Sequence, residues 1–160
     1  MPMSAVLTIL GFLLFGMIVV QINNGYAVKI KKKEWNQLKV YKEKQHLYNM
    51  NHRDFEYYVA AFLQITRDFK THVTKAGRDG GKDIVAYDED NEPIYVEVKH
   101  WKGNVGRPDV QKLEGAMSAD RVRRGYFITS SGFTKDALEY ATKTNITLID
   151  GNELIRQMHT

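Results

Sequence analysis

The chain has 160 residues, 43% of them hydrophobic and 26% charged, which is the composition of one folded domain with a short appendage and excludes general disorder. It contains no cysteine, so a disulfide framework and thiolate zinc sites are excluded. All charged side chains fall at or after Lys29, and the net charge of +4 there permits a polyanionic partner.

The first element, Ala5 to Ile22 (AVLTILGFLLFGMIVVQI), has no charge and only Thr8 and Gln21 as polar interruptions. At about 1.5 Å per residue it reaches across most of a hydrocarbon core, and Tyr26 sits where an interfacial aromatic belongs. It reads as a single transmembrane anchor over residues 1–28. The Lys29, Lys31, Lys32 and Lys33 flank sets the rest of the chain on the cytoplasmic side. The rival is a cleaved signal peptide, for which Gly25-Tyr26-Ala27 offers small residues at a suitable spacing.

Residues 29–50 form a basic juxtamembrane linker or helix whose lysines can meet anionic headgroups or simply be solvated. A domain is expected over 51–160, opening on a helix with Asn51 as N-cap, Asp54 in its first turn, and Phe55, Val59, Phe62 and Leu63 as its apolar stripe. Glu56 lies beside that stripe. The runs FKTHVTK, DIVAY and IYVEVKHW, separated by the turn-rich AGRDGGKD and DEDNEP, predict three strands joined as hairpins. Pro108 suits a helix start before Val110, Leu113 and Met117. Then follow strand GYFITS, helix TKDALEYA with Thr134 as cap, strand ITLID and helix NELIRQM, so the fold class is α/β with a mixed sheet flanked by helices.

On IYVEVKHW, residues Tyr95, Glu97, Lys99 and Trp101 share one face. If the turn at Asp90 and Asn91 closes an antiparallel hairpin, Asp83 converges on Glu97 with Lys99 adjacent. Two carboxylates can hold a hard divalent cation beside a lysine that orients a water or stabilises developing charge, which suits phosphodiester hydrolysis. The alternative is a surface ion pair of little worth. GRDGGKD lacks the spacing and hydroxyl of a phosphate loop, and DEDNEP lacks the glycine and distal glutamate of a calcium loop. Arg78, Lys82, Lys102, Arg107 and Lys112 flank the site as candidate DNA-phosphate contacts. Ser130 and Ser131 either donate to a phosphate or lead into the next helix, and His100 points to the core.

The order FEYYVAAFL, GRDGGKDIVAY, IYVEVKHW, VGRPDVQKLEGAM, GYFITSSGFTKDALEYA, ITLIDGNEL resembles the catalytic domain of Mrr-type restriction endonucleases, a branch of the PD-(D/E)xK nuclease superfamily. The resemblance runs from about Asn51 to the C-terminus. It implies a restriction-endonuclease-like core, Mg²⁺ or Mn²⁺ as cofactor and DNA as substrate, with restriction of foreign DNA as the role. By motif, Asp83 is the metal-binding acid, Glu97 the second acid, Lys99 the catalytic lysine, and Glu56 the first-helix acid that supports the metal or its water. Mrr-like proteins commonly have Gln where this chain has Glu97, so at that position it follows the wider superfamily. Cleavage of both strands often uses two active sites, which makes a homodimer one option, though no interface is legible in the sequence. The rivals to a membrane-anchored endonuclease are a non-catalytic tether that binds nucleic acid and a secreted nuclease.

Overall fold

A computed structural model describes residues 44–74 and 81–158, with side chains from residue 46 onward in the first of these segments. The proposed anchor at 1–28, most of the basic linker, and Arg78 lie outside the described residues. Among the described residues no helix is long and apolar enough to cross a membrane.

The chain runs α1 (Lys44–Asn49), α2 (His52–Arg67), β1 (Lys70–Val73), β2 (Ile84–Tyr87), β3 (Pro93–Lys99), α3 (Arg107–Ala119), β4 (Arg124–Thr129), α4 (Lys135–Ala141), β5 (Ile146–Ile149) and α5 (Gly151–Met158). The five strands form one sheet in sequence order. β1, β2 and β3 make the expected antiparallel meander, while β3, β4 and β5 run parallel. A parallel step needs a crossover. α3 supplies the first and α4 the second.

Local signals explain the boundaries. Asn51 accepts from the Asp54 amide at 2.9 Å and starts α2, and Thr134 accepts from the Ala137 amide and starts α4. Pro108 occupies the first turn of α3, where its missing N–H costs nothing. In the β2–β3 hairpin, Asn91 takes the left-handed conformation (φ 63°) that asparagine tolerates, and Asp88 Oδ1 accepts from the Glu92 amide at 2.9 Å.

The pleat of β3 divides the core. Ile94, Val96 and Val98 pack with Phe55, Val59, Phe62 and Leu63 of α2 and Leu154 of α5 on one face. Tyr95 packs with Val110, Leu113 and Met117 of α3, together with Phe127 and Ala137, on the other. The first cluster also takes in Leu47 of α1, 3% exposed, so the core reaches back ahead of Asn51.

Candidate active site

Asp83 immediately precedes β2 and is bound to both sides of Glu97. Its backbone amide donates to the Val96 carbonyl at 2.9 Å. Its carboxylate accepts from the Val98 amide at 2.7 Å. Glu97 and Lys99 are partly buried and lie, by alternation, on the face of β3 opposite the buried Val96 and Val98. The hairpin thus gathers the three residues at the C-terminal end of β3.

Lys99 Nζ lies 2.8 Å from Asp109 Oδ1, in the first turn of α3. With the two side chains 33% and 36% exposed, this pair orders the lysine more than it stabilises the fold. Asp109 was not singled out from sequence. The only signal was an acid placed in a helix's first turn, which is common for reasons of the helix dipole alone.

Glu56 sits on α2 and is 6% exposed. Its carboxylate accepts from Arg53 Nη1 at 2.6 Å and meets His52 Nδ1 at 3.0 Å. Arg53 also donates to the Thr74 carbonyl at 2.8 Å, and the Thr74 amide donates to the Asp83 carbonyl at 2.8 Å. Glu56 is therefore connected to Asp83 through Arg53 and Thr74, across the start of β2.

The candidate DNA contacts diverge. Lys82 is committed internally: its ammonium lies 2.6 Å from Asp120 Oδ2, 3.0 Å from the Tyr95 hydroxyl and 4.1 Å from the Tyr95 ring centroid. Burial works against the Lys82 charge, but the hydrogen bonds to Asp120 and Tyr95 outweigh it and raise its pKa. Asp120 is correspondingly held below the ordinary carboxylate range, chiefly by the bond from Lys82. Arg107 is exposed, 3.5 Å from Asp136 and 4.6 Å from the Tyr140 ring centroid. Lys112 is exposed, and a β-carbon placed on Gly81 would lie 3.7 Å from its Cε, so α3 carries it to the Asp83 end of β2. Lys102 is exposed in the loop after β3.

Ser130, 2% exposed, lies at the end of β4 and bonds inward. His100 Nδ1 is 2.9 Å from its hydroxyl, and the partly buried His100 ring packs 5.0 Å from that of Phe55.

Among the described residues no group of three or more His, Asp or Glu side chains could hold a metal ion. A hard cation of the Mg²⁺ type keeps several waters and takes only one or two carboxylates together with substrate phosphate oxygens. The donor set of Asp83 and Glu97 meets that need and would not serve a zinc centre.

The family model of the Mrr catalytic domain, described as a restriction endonuclease, matches residues 47–158. The type IV methyl-directed restriction enzyme EcoKMrr of Escherichia coli K12 is 40% identical over 83 residues, which cover 50% of this chain and 27% of the relative. The uncharacterized protein y4cE of Sinorhizobium fredii is 33% identical over 79 residues, 46% of this chain and 20% of its own. The chain therefore spans about a quarter of the length of these relatives. Among solved structures, the DNA modification-dependent restriction endonuclease AspBHI aligns with TM-score 0.60 at 18% identity, over 83% of this chain and 38% of that one. The MspJI restriction endonuclease in complex with a 27-mer oligonucleotide aligns with TM-score 0.53 at 18% identity, over 82% and 34%. These two likenesses establish the restriction-endonuclease-like fold.

Proposed function

We propose, from the premise that the chain belongs to the Mrr catalytic-domain family of restriction endonucleases, that it is a divalent-metal-dependent endonuclease that hydrolyses DNA phosphodiester bonds. The observation that carries this is the double attachment of Asp83 to the strand on either side of Glu97, with Lys99 two residues on and steadied by Asp109.

Asp83 and Glu97 would hold Mg²⁺ or Mn²⁺, which when bound polarises a phosphoryl oxygen and lowers the pKa of a water. The chain's own residues do the rest. The Asp83 carboxylate is held before substrate arrives, because its own hydrogen bond to the Val98 amide and that of its backbone to the Val96 carbonyl tie it to the strand that carries Glu97. Lys99 presents a compact positive charge to the phosphate, orients the attacking water and stabilises negative charge developing on the phosphoryl oxygens. Asp109 keeps the long lysine stem in one arrangement. Glu56 braces the Asp83 segment through Arg53 and Thr74. Lys102, Lys112 and Arg107 contact flanking phosphates without reading sequence.

We further propose that the apolar segment at 5–22 anchors the chain in a membrane with the nuclease domain in the cytoplasm, that the role is restriction of foreign DNA, and that two copies act together on a duplex. The flank of lysines and the length of the apolar run support the anchor. Incubating the full chain with supercoiled plasmid, methylated or unmethylated, in Mg²⁺ or EDTA tests the activity, and membrane fractionation tests the anchor. Metal-dependent nicking is expected. Intact plasmid of both kinds, with the folded chain still bound to it, supports a non-catalytic tether instead.

A further inference from the structure

The loop that follows Lys99 carries a large apolar side chain that the nuclease reading does not use. Trp101 is 58% exposed, an expensive arrangement for an indole in water. It is nevertheless held in place. Its amide donates to Ser130 Oγ at 3.1 Å, Ser130 Oγ lies 3.3 Å from the Trp101 carbonyl, and Ser131 Oγ donates to the Gly103 carbonyl at 2.6 Å. Ser130 is itself buried, and His100 is fixed to the same hydroxyl. The indole edge rests on the Gly103 backbone, where a β-carbon would come within 3.0 Å of Nε1.

This ring borders an open cavity of about 570 Å³ lined by Tyr48, His100, Trp101, Lys102 and Gly103. That volume falls within the range of about 300–1,000 Å³ typical of small-molecule sites. Tyr48, 40% exposed, brings a second aromatic surface from α1. The cavity adjoins the candidate site directly, since Lys99 Nζ is 5.9 Å from the Trp101 ring centroid.

We propose that Trp101 is a stacking platform for one unpaired nucleobase of the strand whose phosphate lies at Lys99, with Tyr48 bordering the same cavity and Lys102 neutralising the next phosphate. This rests on the nuclease reading and deepens it. The match is chemical: cations beside an exposed aromatic face fit a single strand, whose bases offer π surfaces between phosphates. A base inside a duplex has its faces covered by its neighbours, so the strand must be opened or end at this point. A preformed platform lowers the cost of ordering that base.

The chain has two tryptophans, Trp35 and Trp101, so a Trp35→Phe full-length chain reports on Trp101 alone. Its emission is followed in EDTA while a short single-stranded oligonucleotide, the same sequence as a blunt duplex, or anionic phospholipid vesicles are added. The single strand should quench Trp101 strongly and the duplex weakly. Trp101→Ala should weaken single-strand binding about 5- to 160-fold, as loss of one stacked base does, while Trp101→Phe retains most of it. DNA binding with unchanged Trp101 emission, and equal affinity in the Trp101→Ala chain, overturns the platform and leaves the nuclease reading intact. Emission that answers only to vesicles overturns it in favour of a membrane contact. Failure of the unsubstituted chain to bind either DNA form overturns both.

Discussion

The Asp83 carboxylate accepts a 2.7 Å hydrogen bond from the backbone amide of Val98, the residue between Glu97 and Lys99. One side chain thus serves as a metal-ligand candidate and as the clasp that fixes the strand bearing the other two site residues. The two duties are separable, because a neutral oxygen can still accept from an amide while a hard cation requires the charge.

Asp83→Asn should therefore fold with a stability within about 1 kcal/mol of the unsubstituted chain and lose cleavage. Asp83→Ala should lose cleavage as well and cost about 1–3 kcal/mol, because the amide of the buried Val98 loses its acceptor. Urea denaturation beside a nicking assay checks both. Equal stability of the two variants would show that the clasp contributes nothing.

Asp109 orders Lys99 from 2.8 Å without touching substrate in this account. Asp109→Asn should lower kcat about 10-fold with little change in KM for DNA, and should leave stability within about 0.5 kcal/mol, as for other partly exposed pairs. A raised KM with unchanged kcat would mean that Asp109 holds Lys99 for DNA binding and not for the chemical step.

The Lys82–Asp120 pair sets a pH window. The Asp120 pKa is lowered in the fold, so its contribution is present above the ordinary carboxylate value of about 3.9 and disappears as pH falls through the folded value. The Lys82 pKa is raised, so its contribution is present below about 10.4 and disappears as pH rises through the folded value. Thermal midpoints of the unsubstituted chain and Asp120→Asn should differ by a constant amount across neutral pH and converge in acid. A difference that grows in acid contradicts the pairing.

Because Lys82 is committed to Asp120 while Lys102 and Lys112 have no ion-pair partner among the described residues, the three should separate in a salt titration. Lys102→Ala and Lys112→Ala should each reduce the slope of log affinity against log salt by about 0.9. Lys82→Ala should leave the slope unchanged and cost stability. An equal effect of all three on the slope would mean that Lys82 exchanges Asp120 for a phosphate.

The convergence of Asp83, Glu97 and Lys99 was legible because it depends on one hairpin, and the DEDNEP turn and strand alternation specify that hairpin locally. The caps Asn51 and Thr134 were legible for the same reason. Asp109, Asp120 and Ser130 were not. Asp120 and Ser130 meet their partners only once α3 has crossed the sheet and brought β4 beside β3, and Asp109 meets Lys99 only through the path of the loop between β3 and α3, which no local pattern encodes. Lys82, a candidate phosphate contact by its place in the sequence, is paired by tertiary packing with Asp120 and Tyr95, and that pairing no local pattern encodes. Likewise the basic spacing of the segment before Asn51 gave no hint that Leu47 joins the core.

Whether Asp83, Glu97 and Lys99 form a phosphodiesterase site is decided by single-turnover cleavage of a plasmid at matched DNA occupancy, with Mg²⁺, for the unsubstituted chain and for Lys99→Ala. Cleavage should depend on the metal and fall at least about 100-fold in the variant while DNA remains bound, the scale of losing a positioned charge-stabilising group. Cleavage by Lys99→Ala at the unsubstituted rate would contradict it and return the Lys99–Asp109 contact to an ordinary surface ion pair.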